Sequence, residues 1–142
     1  MGITMHIDIV SAEESIHSGT AQFVTARSVG GEVGIYPRHV PMLAQLQPGE
    51  LTVRDEFGEE RFFYVSGGTI EVQPDVVTVL ADSAMRARDI DEAAAEQARQ
   101  RAAAALAGRD EKVDYARAQA LLAEAAAQQR VAKKLRNSAN RS

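Results

Sequence analysis

The chain has 142 residues, a formal net charge of -4 at pH 7 and a hydrophobic share of 45%, which suits one soluble domain or a small domain with an appendage and gives no reason to expect nucleic acid. It contains no cysteine, so disulfides, thiolate chemistry and cysteine-ligated metals are excluded, and a reducing compartment is compatible. No stretch reaches the roughly 18 apolar residues of a membrane span, and the opening MGITMHIDIVSAEESIHSG lacks the basic flank and apolar core of a signal peptide; the expectation is a cytoplasmic protein that meets a membrane only through a partner.

Up to about Ala84 the pattern is that of strands. MHIDIVS (Met5–Ser11) alternates apolar and polar, and AQFVTARS (Ala21–Ser28) sets Phe23 and Val24 among polar neighbours. GEVGIYPRHVPMLAQLQPGE follows. In it Tyr36-Pro37 and Val40-Pro41 bias the residue before each proline to extended conformations, and the prolines fix their own φ and remove two amide donors. A stiff exposed elbow carrying Glu32, Tyr36, Arg38, His39 and Met42 is predicted, and a rigid loop loses little entropy on binding. GELTV and RFFYV flank the turn-like DEFGEE. TIEVQPDVVTVLAD gives two short strands around Pro74-Asp75. In the first, Ile70 and Val72 face one way and Glu71 and Gln73 the other; the second is nearly all apolar. Short strands at roughly 8–12-residue intervals predict a β-sandwich or barrel.

Beyond Asp89 alanine dominates and proline is absent. Asp89 with Glu92 has capping-box spacing, which predicts a helix from about Ile90 to Leu106. AGRDEK breaks it, and a second helix is predicted from Val113 or Asp114 to about Leu135, antiparallel to the first. Ile90, Ala94, Ala98, Ala102 and Ala105 or Leu106 make a small-residue stripe on one helix. Tyr115, Leu122, Ala126 and Val131, flanked by Leu121 and Leu135, make a stripe on the other. Alanine favours the helix but buries little apolar surface, so each helix should be firm and the seat of the hairpin on the sandwich weak. The fold class is α+β, with residues 1–86 as a β-sandwich docking domain and 87–142 as a helical hairpin.

No active site can be assembled. His6, His17 and His39 lack metal-site spacing, no H-E-x-x-H or acidic calcium loop occurs, and His6 and His17 read as surface or strand-end residues. There is no G-x-S-x-G elbow, and the glycines of VGGEVG and SGGT fit neither a phosphate loop nor a dinucleotide fingerprint. Glu13-Glu14 and Glu59-Glu60 are sequential, a solvated pattern. No metal site and no catalytic residue are expected. A free-standing ligand-binding sandwich with a helical dimerisation arm fits these observations as well as a docking subunit does.

Three blocks carry a resemblance. IDIVSAEESIHSG, GEVGIYPRHVPMLAQLQPGEL and FFYVSGGTIEVQPDVVTVLADSAMRARDID, followed by VDYARAQALLAEAAAQQRV, resemble in order the epsilon subunit family of bacterial F-type ATP synthases, counterpart of plastid epsilon and mitochondrial delta. Arg38 departs from the pattern, since many members have glycine there. The resemblance implies a β-sandwich followed by a two-helix hairpin. It implies a non-catalytic rotor subunit on the central stalk, bound to the gamma subunit and the c-ring, coupling proton transport to ATP synthesis. It places the chain peripherally on the cytoplasmic side of the bacterial plasma membrane. Glu32, Tyr36, His39 and Met42 become docking candidates toward the c-ring and gamma.

In many members the hairpin extends into the alpha/beta catalytic head and inhibits ATP hydrolysis. The resemblance implies that the basic residues Arg130, Lys133, Lys134 and Arg136 serve this role, where cations also suit a helix C-terminus. Some members bind ATP through a motif like [IL]-D-x-x-R-A. Here Ile90, Asp91 and Ala95 match, Ala94 replaces the arginine, and Arg130 is left as one second-helix charge. Losing that guanidinium removes about 1.5–3 kcal/mol of charge-assisted hydrogen bonding, so ATP binding is expected to be weak or absent and no cofactor is expected.

Overall fold

The computed structural model describes residues 3–107 and 115–139. Eight strands come first: β1 (Met5–Ser11), β2 (Ser15–Ser28), β3 (Gly31–Ile35), β4 (Met42–Asp55), β5 (Glu60–Val65), β6 (Gly68–Val72), β7 (Val76–Ala81) and β8 (Ala84–Arg86). A single 3-10 turn, Ala87–Asp89, leads into helices α1 (Glu92–Ala107) and α2 (Tyr115–Ala139).

The strands hydrogen-bond in the order β3-β2-β1-β7-β6-β4-β5-β8, and a further β2–β4 ladder closes the sheet on itself. Two long strands make this possible. The first half of β2 pairs with β1 and its second half with β3 and β4. Met42–Leu46 of β4 pairs with β6, while Gly49–Arg54 pairs with β5. Gln47 and Pro48 lie between these two ladders, where a proline without an N–H costs no ladder bond. Both strands thereby pass from one layer of a sandwich to the other. β1 and β7 run parallel.

Alternation fills the space between the layers. Ile7, Ile9, Val24, Ile35, Leu51, Val53, Ile70, Val77 and Val79 are fully buried, each one strand step from an outward residue. Glu71 and Gln73 are exposed opposite Ile70 and Val72, as the pattern predicts. Gly68 has φ of +127°, and a Cβ there would sit 2.1 Å from the Leu80 carbonyl oxygen, so the position accepts no side chain.

β5 departs from alternation. Phe62, Phe63, Tyr64 and Val65 are all buried. Phe63 and Val65 belong to the sandwich core. Phe62 and Tyr64 face outward and are covered by Ala127 and Val131 of α2 and by Ala87, with Met85, Ile90 and Leu135 packed around them. A strand buried on both faces reads as a continuous apolar run, which is what FFYV is.

Several expectations for the hairpin are corrected. Asp89 does not cap α1: it ends the 3-10 turn, and Asp91 caps instead, its Oδ1 accepting the Ala94 N–H at 3.0 Å. The cause is Ile90, which is extended and packs on the Phe62–Tyr64 cluster, so the helix starts two residues later than predicted. The small-residue stripe is also displaced. Ala94 and Ala98 are exposed, while Ala95 and Ala102 are buried. Alanines occupy so much of this helix that apolar spacing cannot mark a face. Glu96, next to the buried Ala95, accepts Gln129 Nε2 from α2.

On α2, Val131 is buried and Leu122 and Ala126 are half-buried, but the remaining buried positions are Ala118, Ala125, Ala127 and Ala132. This helix therefore buries two lines of small residues. Tyr115's side chain and most of the AGRDEK break lie outside the described residues.

Arg38 has φ of 66°, a left-handed conformation that costs an L-residue about 1–2 kcal/mol relative to right-handed backbone. Its N–H donates to the Pro74 carbonyl at 2.8 Å, which fixes the elbow on the β6–β7 turn. Arg38→Gly should leave the fold intact and raise stability by up to about 1 kcal/mol, strain relief being partly offset by the freer unfolded chain. Urea unfolding checks this; a loss of more than about 1 kcal/mol contradicts it.

Candidate functional site

The elbow candidates do not form one cluster. Glu32 lies in β3, exposed, in register with Arg27 of β2. Tyr36 follows four residues later, roughly 13 Å further along extended chain. It is exposed and stacks on Phe23 with ring centroids 4.3 Å apart. His39 is half-buried, its Nδ1 2.7 Å from the Val40 carbonyl oxygen. Met42 is the first residue of β4, pairs with Val72 and packs against the sandwich core, so it is half-buried rather than a surface residue of the elbow. Val40 and Leu43 are both 71% exposed. Sequence inspection missed them as docking residues, although apolar residues beside two prolines were the available signal.

The four basic candidates on α2 divide into two pairs. Arg130 and Lys133 are exposed and make no ion pair with a described residue. Lys134 Nζ lies 2.6 Å from Glu50 Oε1 on β4, and Arg136 Nη1 lies 3.1 Å from Glu92 Oε2 on α1. Half of the basic set therefore ties the hairpin to the sandwich and to itself.

The seat of α2 carries two buried polar atoms with no hydrogen-bond partner among the described residues, Tyr64 Oη and Glu50 Oε2. Glu50 and Tyr64 are cross-strand neighbours in the β4–β5 ladder, so both lie beneath the same helix. Burial pushes the Tyr64 phenol well above its ordinary pKa, and Glu124 of α2 pushes it the same way. Each unmatched buried polar group costs about 1–3 kcal/mol. The joint is thus held by a small apolar cluster and one ion pair against these opposing terms.

The contact between the helices is better matched. Glu96 accepts Arg99 Nη2 at 2.7 Å and Nε at 3.1 Å, Gln100 at 3.0 Å, and Gln129 of α2. These bonds, those of Arg99 first, hold its carboxyl down at about 2.

Two of the nucleotide-motif residues are already engaged: Asp91 is the α1 cap and Ile90 is half-buried against the β5 cluster, whereas Ala94 and Arg130 are exposed. His17 lies near the start of β2, half-buried, its ring 5.3 Å from Phe63. Burial, then the charges of Arg61 and Arg86, holds its pKa below the usual histidine value. His6, Asp8 and Ser18 meet on neighbouring strands: Ser18 Oγ donates to Asp8 Oδ1 at 2.7 Å, and His6 Nε2 lies 3.0 Å from Asp8 and 3.2 Å from Ser18. Both partners sit on one ring nitrogen, so the group has no base-to-orienter relay of the kind nucleophilic catalysis requires. Among the described residues no cluster of three metal-ligating side chains occurs, and no helix is long and apolar enough to cross a membrane.

Comparison with known proteins covers both parts of the chain. Residues 4–87 match the model of the ATP synthase delta/epsilon chain β-sandwich domain, and residues 88–133 match that of the delta/epsilon chain long α-helix domain. The ATP synthase epsilon chain of Alkalilimnicola ehrlichii is 59% identical over 138 residues, spanning 97% of this chain and 99% of that one. The epsilon chain of Nitrosococcus oceani is 60% identical over 139 residues, spanning 95% and 99%. A chain in the Euglena gracilis mitochondrial ATP synthase structure of OSCP, F1 and c-ring shares the fold with a TM-score of 0.71 at 23% identity, covering 98% of this chain and 83% of that one. With both domains matched and identities near 60% over almost the whole length, this chain belongs to the ATP synthase delta/epsilon chain family, as a bacterial F-type epsilon subunit without catalytic function of its own.

Proposed function

We propose that the chain is a central-stalk rotor subunit of a proton-translocating ATP synthase. In this reading the sandwich binds the gamma subunit and the c-ring and couples proton transport to ATP synthesis, and the hairpin inhibits ATP hydrolysis when it extends into the alpha/beta head. The subunit is then peripheral, on the cytoplasmic side of the bacterial plasma membrane, held there only through the complex. The observation that supports the switch most directly is the mismatch between two joints. The helices are tied to one another by Gln129–Glu96 and Arg136–Glu92, whereas the hairpin's seat buries Tyr64 Oη and Glu50 Oε2 with no hydrogen-bond partner among the described residues. Extension frees Lys134 to join Arg130 and Lys133, neither of which is ion-paired to a described residue, as cations for acidic groups of the head.

ATP hydrolysis by the matching catalytic head should fall when the full-length chain is added and stay high with a chain ending at Lys112. Equal activity with both chains would remove the inhibitory role and leave the rotor role standing.

The seat can be tuned in both directions. Tyr64→Phe removes a buried unmatched hydroxyl and should favour the docked hairpin by about 1–2 kcal/mol. Lys134→Ala should disfavour it by up to about 1 kcal/mol, the range of a partly exposed ion pair. Amide hydrogen exchange of α2 reads this out; faster exchange in Tyr64→Phe than in the native chain contradicts it.

Glu32 and His39 are assigned to the c-ring side of the elbow. Tryptophan at either position should weaken ATP-driven proton pumping in membranes while ATP hydrolysis by the soluble head stays within about twofold. Undiminished pumping by both variants rejects the assignment. ATP binding by the isolated chain should be weak or absent, because Ala94 replaces the motif arginine and Asp91 already caps α1; calorimetry showing micromolar affinity would overturn this.

A further inference from the structure

A cleft of about 220 Å³ opens where the outer end of β5, the 3-10 turn and the last turns of α2 meet. Arg61, Arg86, Arg88 and His17 supply its polar wall, and Phe63 and Leu135 part of its apolar wall. Its one carboxylate, Glu60, lies 3.7 Å from Arg54, outside the cleft. Arg61 is matched by Asp55 at 3.4 Å. Arg86 spends Nη2 on the neutral carbonyl of Ile16. Neither it nor Arg88 has a carboxylate at ion-pair distance among the described residues. The cleft therefore carries two guanidinium groups with no carboxylate at ion-pair distance among the described residues, on an acidic protein, beside apolar walls that lower the local dielectric.

We propose that this cleft binds a small oxyanion of the phosphate class, held by the guanidinium groups of Arg86 and Arg88 with Arg61 at its side. Planar guanidinium forks match the geometry of phosphate oxygens and remain charged at any physiological pH. The cleft is smaller than the pockets of about 300–1,000 Å³ that hold drug-sized molecules, which suits a small anion. The residues differ from Ile90, Asp91, Ala94 and Arg130, so the site is separate from the nucleotide motif on the hairpin. Leu135 belongs to α2 and closes one wall, so the site is complete only with the hairpin seated. A bound oxyanion then favours the seated hairpin by mass action. That consequence rests on the switch proposed above; binding itself does not.

His17 is a built-in reporter. Arg61 and Arg86 hold its pKa down, while Asp8 and Asp55 act in the opposite sense. An anion between the arginines and the ring favours the charged imidazole, so occupancy raises the His17 pKa. The test is proton NMR titration of the His17 ring in the isolated full-length chain, in sodium phosphate and in sodium chloride of equal ionic strength. Phosphate should give a saturable shift and an upward move of the His17 pKa that chloride does not give. Arg88 is exposed and unpaired among the described residues, so Arg88→Ala folds normally. It should weaken phosphate binding about tenfold or more, the loss of one charge-assisted hydrogen bond. Arg101→Ala removes the same charge from an exposed position on α1, outside the cleft, and should leave binding unchanged. ATP and ADP form separate arms, to distinguish a free oxyanion from the phosphoryl end of a nucleotide. No phosphate-specific shift, an equal shift in Arg88→Ala, or saturation by ATP with phosphate silent would each overturn the proposal. The assay contains neither gamma nor catalytic head, so its failure leaves the rotor reading untouched.

Discussion

The rest of the structure depends on one constraint: β5 is apolar on both of its faces. Phe63 and Val65 complete the sandwich core, and Phe62 and Tyr64 then present a large aromatic surface on the opposite side. A sheet cannot leave that surface in water without a cost of several side chains' worth of hydrophobic free energy. Ala127 and Val131 of α2 cover it, with Leu135, Met85 and Ile90 at the edges. That single docking event fixes where α1 starts, because Ile90 must reach the cluster before the helix begins. It also brings Lys134 to Glu50 and closes the arginine-walled cleft with Leu135.

The two parts of the chain are bonded by different chemistry. In the sandwich, β2 and β4 each belong to both layers, so the layers cannot separate without breaking continuous strands. In the hairpin, alanine gives high helix propensity and close approach but little buried area per residue. Side-chain hydrogen bonds add to the packing: Gln129–Glu96 and Arg136–Glu92 join the helices, and Lys134–Glu50 joins α2 to the sandwich. The seat combines small apolar partners with two unmatched polar atoms.

Arg38 shows how local strain is carried at the elbow. Its left-handed backbone is held by the N–H bond to Pro74 and by the prolines on either side, which deny the chain helical alternatives. Tyr36 and Val40 are presented outward by this arrangement, while Met42 turns inward as β4 begins. The elbow is therefore less a loop than the crossing between a short edge strand and a long central one.

Much was legible in the residues themselves. Alternation at Met5–Ser11 and at Ile70–Val72 marks half-buried strands because side chains on a strand point to opposite faces by geometry alone. The change from Gly/Pro-punctuated strands to alanine marks the start of the hairpin because propensity is local. The ordered motifs identified the family. Other features were decided only by tertiary structure. Which alanines of α1 face inward was not encoded in apolar spacing, since nearly every position is small. The true cap, Asp91 in place of Asp89, depended on Ile90 finding the Phe62–Tyr64 surface. The pairing of Lys134 with Glu50, and the gathering of Arg61, Arg86 and Arg88 around His17, join residues far apart along the chain. Such contacts exist only after β5 has been covered, because side-chain charges carry no information about distant partners until packing brings them within a few ångströms.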